Sequence, residues 1–176
     1  MARLADRALE LDEAVEKWLE PRRSPALDRL FYGLSSAADH GMLWHAIGIG
    51  SAVVRRDARV AVRFSTALGL ESALTNGVVK SLFRRVRPSE HYEHDAPLPY
   101  GMRRPVTSSF PSGHAATAFM CAGVLSRSRR SAPAWFTLAG LVAFSRVYVR
   151  LHHTSDVVAG AALGLALVPI ARRIAD

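Results

Sequence analysis

A chain of 176 residues accommodates one domain or a small helical bundle, and leaves no room for a second catalytic unit. Lys and Arg outnumber Asp and Glu by 23 to 15, giving a net charge of +8 and a pI near 10.7, which points to an anionic partner: nucleic acid, anionic lipid or a phosphorylated substrate. The single cysteine, Cys121, excludes an intramolecular disulfide and any multi-cysteine metal centre. Apolar residues make up 49% and mean hydropathy is +0.09, between a soluble enzyme and a multispanning membrane protein, so the lengths of the apolar segments decide.

Residues 3–20 place Leu4, Ala8, Leu11, Val15, Trp18 and Leu19 at helical spacing, with Arg3, Asp6, Arg7, Glu10, Glu13, Glu16 and Lys17 on the remaining face. This predicts an amphipathic helix within 1–21, ended by Pro21 and suited to a membrane interface. Its charges interrupt the apolar run, so no cleavable secretory signal is expected. Residues 26–54 are apolar but broken at Ala38-Asp39-His40-Gly41, which predicts two helices of about thirteen residues around a tight turn, each short for a perpendicular span. After the basic loop Arg55-Arg56-Asp57-Ala58-Arg59, residues 60–79 form a longer apolar run. It holds Arg63 and Glu71, both expected to face protein rather than lipid. Further helices are predicted over 115–126, 133–147 and 157–171. No stretch alternates with period two and no repeat appears, so the fold class is all-α: about six membrane-embedded helices after an amphipathic one, forming one domain over 1–176. The only long irregular segment, 88–111, leads directly into Pro-Ser-Gly-His; a loop of that length is usually functional.

Three short patterns carry chemistry. In Lys80 to Pro88 (KSLFRRVRP), Lys80 and Arg87 are seven apart, on one face of a helix that Pro88 stops, and two cations aimed alike suit an anion with several oxygens. In Phe110 to Thr117 (FPSGHAAT), Ser112 is a candidate N-cap and Gly113 permits close backbone approach. The free N–H groups that follow make an anion site, with His114 placed to give a proton to a departing oxygen. In Ser145 to Asp156 (SRVYVRLHHTSD), Arg146 ends one helix, while His152 and Asp156 stand four apart at the start of the next. There a carboxylate can fix the tautomer of an imidazole nucleophile. Spacing alone leaves His153 in competition with His152, and Asp156 also reads as a helix cap.

If the helices alternate in direction, Lys80, His114, Arg146 and His152 fall on one face. Arg55, Arg56 and Arg59, then Arg127, Arg129 and Arg130, then Arg172 and Arg173 collect on the other, with the N-terminal helix counted beside them as basic. The positive-inside rule makes that second face cytoplasmic and puts the active face outside the inner membrane of a multi-pass protein.

Together the patterns K-x6-R-P, P-S-G-H and S-R-x5-H-x3-D, in this order and separated by apolar helices, resemble the three signature motifs of the type 2 phosphatidic acid phosphatase superfamily. That superfamily shares its helical fold with bacterial nonspecific acid phosphatases and vanadium haloperoxidases. The resemblance implies that Lys80, Arg87, Ser112, the Gly113 N–H and Arg146 bind phosphate. It makes His114 the acid, His152 the nucleophile that forms a phosphohistidine, and Asp156 its partner, and its x5 spacing selects His152 over His153. Neither cofactor nor metal is implied. The implied substrate is a lipid phosphate in a membrane: polyprenyl phosphate or pyrophosphate first, or else phosphatidic acid or phosphatidylglycerol phosphate. The alternatives are a non-catalytic basic binder of lipid headgroups and a vanadate-dependent peroxidase. Nucleic acid is disfavoured as partner because the arginines sit at the ends of apolar helices rather than among aromatics on a polar face. The spacing of Cys121 and Arg127 imitates a cysteine-phosphatase loop, but an apolar helix is no place to activate a thiol. Glu90, His91, Glu93, His94 and Asp95 read as a solvated loop rather than a metal site, and His40 and His45 as packing or capping residues.

Overall fold

The computed structural model describes residues 2–88 and 107–176, with side chains from residue 6. The cluster Glu90 to Asp95, Tyr92, Tyr100, Arg103 and Arg104 lie outside the described residues. Among the described residues seven α-helices follow one another, α1 (Ala2–Leu19), α2 (Pro25–Ala37), α3 (Met42–Arg55), α4 (Ala58–Ser72), α5 (Gly113–Leu125), α6 (Ala132–Tyr148) and α7 (Thr154–Ala175), and no strand occurs.

Local chemistry explains most boundaries. Ser24 caps α2 by accepting from Leu27 N, with Pro25 in the first turn, and Asp57 caps α4 by accepting from Arg59 N. Between α2 and α3 the chain reverses through two left-handed residues, His40 (φ 52°) and Gly41 (φ 72°). α4 does not stop at Ser72: it widens into a π-helical stretch, Ala73–Val79, and tightens into a 3-10 turn, Lys80–Leu82.

α5 is apolar all round and accordingly occupies the centre, with Ala115, Ala116, Ala118, Cys121 and Ala122 fully buried. It packs most closely on α7. A Cβ on Gly160 would come within 2.3 Å of Ser112 O, and one on Gly164 within 2.1 Å of Ala116 O, so only glycine lets the two backbones approach this far. Trp44, Phe64, Leu68, Met120 and Val142 fill the core between α3, α4, α5 and α6, while Leu19, Phe31, Tyr32, Tyr148 and Leu151 form a second cluster under α1 and α2. The outward faces of α3, α4 and α7 expose Ile49, Val53, Val62, Leu70, Val158, Leu165 and Ile170, an apolar surface of the kind that meets lipid. Among the described residues α7 is the one helix long and apolar enough to cross a membrane, and α5 is apolar but shorter.

Two expectations are corrected here. α1 is not basic, since residues 2–19 carry five carboxylates against three cations, and it does not join the arginine-rich end. Its protein-facing side is acidic: Asp12 bonds Arg85 and Ser155, and Glu16 lies 3.6 Å from His153, so α1 docks on the same end as the first and third motifs. Leu11 and Trp18, on the apolar stripe suited to a membrane interface, point away from the protein. Arg63 is exposed and donates to Asp176 O, because it lies where α4 passes the end of α7. Glu71 is buried, taking hydrogen bonds from Thr75 (2.7 Å) and Thr117 (2.5 Å).

Candidate active site

One end of the bundle opens into a cavity of about 1070 Å³, lined among others by Asp39, Asn76, Lys80, Arg87, Gly113, His114, Arg146 and His152. Each motif delivers its residues there by a different local device.

Lys80 arrives through the π-helical end of α4 and is 7% exposed. Beyond Leu82 the chain leaves helical geometry, with Phe83 extended (φ −125°, ψ 146°), so Lys80 and Arg87 are not on one helical face as their spacing suggested. Pro88 disfavours helical geometry at the residue before it, and an extended path brings Arg87 to the same cavity. There Arg87 is held by backbone acceptors: Nη1 donates to Leu151 O at 2.6 Å, and Nη2 to Thr107 O and Ser108 O, both at 3.1 Å.

The second motif forms the start of α5. Ser112 is fully buried, its Oγ accepting from Ala115 N at 3.4 Å and its N–H donating to Asp156 O at 2.9 Å. Its side chain caps the helix and does not line the cavity, whereas Gly113 and His114 do. A Cβ on Gly113 would meet Asn76 Oδ1 at 2.5 Å.

In the third motif Arg146 occupies the last turn of α6, 2% exposed, with Nη1 bonded to Ser35 Oγ and 3.7 Å from Asp39 Oδ1. Its carbonyl accepts from both Leu151 N and His152 N at 3.1 Å, which folds the intervening five residues back and returns His152 to the end of α6. Arg150 takes a left-handed conformation (φ 57°) to make that return.

His152 is 2% exposed, with Nε2 3.2 Å from Arg87 Nη1 and Nδ1 3.7 Å from Asp156 Oδ2. An arginine N–H can only donate, so Nε2 is the unprotonated nitrogen and Nδ1 carries the proton toward Asp156. Burial, reinforced by the charges of Arg146, Arg87 and Lys80 and opposed by Asp156, pushes the His152 pKa well below its ordinary value, keeping the imidazole neutral. Asp156 does more than cap α7. Its Oδ2 accepts from His153 N at 2.9 Å, and Oδ1 takes Arg85 Nη1 at 2.7 Å. Arg85 in turn reaches Asp12 (2.7 Å) and Ser155 (2.6 Å), so α1 braces the carboxylate that orients His152. His153 points elsewhere, its Nε2 3.2 Å from Val86 O.

Sequence reasoning missed Asp12, Arg85 and Asp39. Asp39 Oδ1 stands 2.9 Å from His114 Nε2. Burial raises its pKa, but the hydrogen bond and charge of His114 and the charge of Arg146 outweigh that and hold the carboxyl below its ordinary value. The signal available was the Asp-His-Gly turn itself, which reads as simple punctuation. His45, beside it, bonds Ser65 Oγ at 2.8 Å. Cys121 is buried in α5 and does not line the cavity.

Comparison with known proteins agrees with this geometry. The solved transmembrane PAP2-type phosphatidylglycerolphosphate phosphatase of Bacillus subtilis superposes with a TM-score of 0.72 at 28% identity, covering 94% of this chain and 84% of that one. LpxE of Aquifex aeolicus superposes at 0.71 and 27% identity, covering 94% of each. The lipid A 1-phosphatase of Porphyromonas gingivalis is 33% identical over 120 residues, 64% of this chain, which spans 23% of that relative's length. A profile of the PAP2 superfamily matches residues 60–176, all three motifs included, and the chain belongs to that superfamily.

Proposed function

We propose that the protein is a metal-independent lipid phosphate phosphatase working through a phosphohistidine. The observation that carries the reading is the convergence of three buried cations with His114 and His152 on one cavity. Lys80, Arg87, Arg146 and the Gly113 N–H bind the phosphoryl oxygens and stabilise the charge that grows on them, with Ser112 holding the turn that presents the N–H. The neutral His152 Nε2 attacks phosphorus, its Nδ1 proton held toward Asp156. As the ester P–O bond breaks, His114 gives its proton to the leaving oxygen. His114, now neutral, takes a proton from water, whose oxygen attacks the phosphohistidine; the P–N bond breaks and inorganic phosphate leaves.

The relatives' names, a phosphatidylglycerolphosphate phosphatase and a lipid A 1-phosphatase, support a membrane-lipid phosphate as substrate. Residues 55–59, 127–130 and 172–173 cluster their arginines at the end opposite the cavity, which supports an inner-membrane protein with the site on the extracytoplasmic side. The test is phosphate release from a panel of lipid phosphates in EDTA. Wild type should turn over at least one lipid, His152→Ala should lose about 10⁴-fold or more, and Asp156→Asn should fall in between. Equal rates for wild type and His152→Ala would end the nucleophile assignment.

A further inference from the structure

The side of the cavity where the leaving group departs is edged by a carboxylate that belongs to none of the three motifs. The α2–α3 turn, through its two left-handed residues, aims Asp39 at the start of α5. Its Oδ1 lies 2.9 Å from His114 Nε2 and 3.7 Å from Arg146 Nη1. Among the described residues that line the cavity, Asp39 is the one carboxylate, in a lining that also holds Lys80, Arg87 and Arg146. A leaving oxygen that takes its proton from His114 Nε2 must come within hydrogen-bond reach of that nitrogen, and so becomes a neighbour of Asp39.

We propose that Asp39 is a specificity-determining residue that selects phosphomonoesters, whose leaving oxygen departs as a neutral hydroxyl, over pyrophosphates, whose leaving group is itself an anion. The inference rests on the assignment of His114 as the acid. Two effects of the same carboxylate act in the same direction. First, an alkoxide is a far stronger base than a phosphate, so a monoester cannot be cleaved readily without a proton at the bridging oxygen. The 2.9 Å contact from Asp39 Oδ1 to His114 Nε2 favours the protonated imidazole, against burial and the charges of Arg146 and Lys80, which on balance hold the His114 pKa down to about 4. Second, the two substrates end differently. With a monoester the P–O electron pair stays on the ester oxygen, the His114 proton neutralises it, and an alcohol leaves beside Asp39. With a pyrophosphate the bridging oxygen departs on a second phosphate that keeps its other negative charges, and these are repelled by Asp39 across a partly buried gap.

The test compares dodecyl phosphate with dodecyl pyrophosphate, using the full chain purified in detergent as wild type, Asp39→Asn, Asp39→Glu and His152→Ala. Wild type should favour the monophosphate. Asp39→Asn should cut kcat/KM for the monophosphate while sparing the pyrophosphate, lowering their ratio about tenfold or more. Asp39→Glu, which keeps the charge, should retain the preference. Inorganic phosphate should inhibit Asp39→Asn at lower concentration than wild type, since the anion no longer faces a carboxylate. An unchanged ratio in Asp39→Asn, proportional loss of both activities in both Asp39 variants, or a wild-type preference for pyrophosphate would overturn the proposal while leaving the phosphatase reading in place. Turnover unaffected by His152→Ala would overturn that reading and this inference with it.

Discussion

The contact between α5 and α7 fixes the distance between His114 and His152, and a single methyl group tests it. Gly160 faces Ser112 O, and an alanine Cβ there would stand 2.3 Å from that oxygen; ordinary contact begins near 3.4 Å, so the helices must part by about 1.1 Å. Gly164, one turn further from the site, faces Ala116 O at 2.1 Å, which requires about 1.3 Å. Both obstacles are backbone carbonyls inside a helix, which cannot swing aside as a side chain would. Overpacking of this kind costs about 1–3 kcal/mol. The functional consequence is larger for Gly160→Ala, because Ser112 N also bonds Asp156 O at 2.9 Å and His114 is two residues on. Separation there stretches that bond and moves His114 away from the His152–Asp156 side by about 1 Å, a misplacement worth roughly 10²-fold in rate. Gly164→Ala should lose comparable stability with a smaller loss of rate. Gly140→Ala, whose added Cβ meets nothing within 4 Å, serves as the control and should keep wild-type activity. Thermal melting in detergent together with phosphate release from dodecyl phosphate reads both effects. A Gly160→Ala protein with wild-type melting temperature and rate would refute the claim that this approach sets the geometry of the site.

Further outcomes follow from the same contacts. The depressed pKa of His152 means that kcat/KM should not fall as pH drops through the ordinary histidine range near 6.5, where protonated His114, whose pKa is held down to about 4, becomes more abundant; an acid limb centred at or above 6.5 would contradict a neutral buried nucleophile. Because the unfolded chain protonates this histidine more readily than the folded one, its contribution to stability is complete above about pH 6.5 and declines below it, a trend that pH-dependent melting measures. Arg85→Gln strips the buried Asp156 of its cationic partner and should cost about 3 kcal/mol, with kcat lowered and KM little changed; a change confined to KM would argue against a positioning role. Asp12→Asn should show the same kcat pattern at smaller amplitude, about 1 kcal/mol in stability, since it weakens the α1 brace from one step further out. Maleimide treatment of the folded protein should leave phosphate release intact, because Cys121 is buried and away from the cavity; rapid inactivation would reopen the cysteine reading.

Much of the helix pattern was legible because apolar period and capping residues are local. The break at residues 38–41, the start of α5 behind Ser112 and the end of α6 after Arg146 all follow from neighbours a few positions away. What local pattern could not reveal is pairing across the chain. Nothing in the local pattern singles out Asp12, because its partners Arg85 and Ser155 lie 73 and 143 residues on, and no periodicity encodes that. The helical spacing of Lys80 and Arg87 misled for a different reason. Helical geometry assumed up to Pro88 fails where the residue before a proline prefers to be extended, so convergence is reached by a bent path instead of a shared face. Asp39 was passed over because a single acidic residue in a turn has a sufficient local explanation.

The way the cations are held bears on whether the cavity is built to receive phosphate. Burying Lys80, Arg87 and Arg146 around one space is costly, and ion pairing each to its own carboxylate would relieve that cost but leave little charge for a ligand. Arg87 donates to the carbonyls of Leu151, Thr107 and Ser108, and Arg146 to the hydroxyl of Ser35, neutral acceptors that meet N–H groups without cancelling charge, while Asp39 lines the cavity 3.7 Å from Arg146 Nη1. The buried carboxylates Asp12 and Asp156 are drawn off by Arg85, outside the lining of the cavity. Among its described lining residues the cavity therefore carries Lys80, Arg87 and Arg146 against the single carboxylate Asp39, an excess of positive charge that suits an anionic ligand.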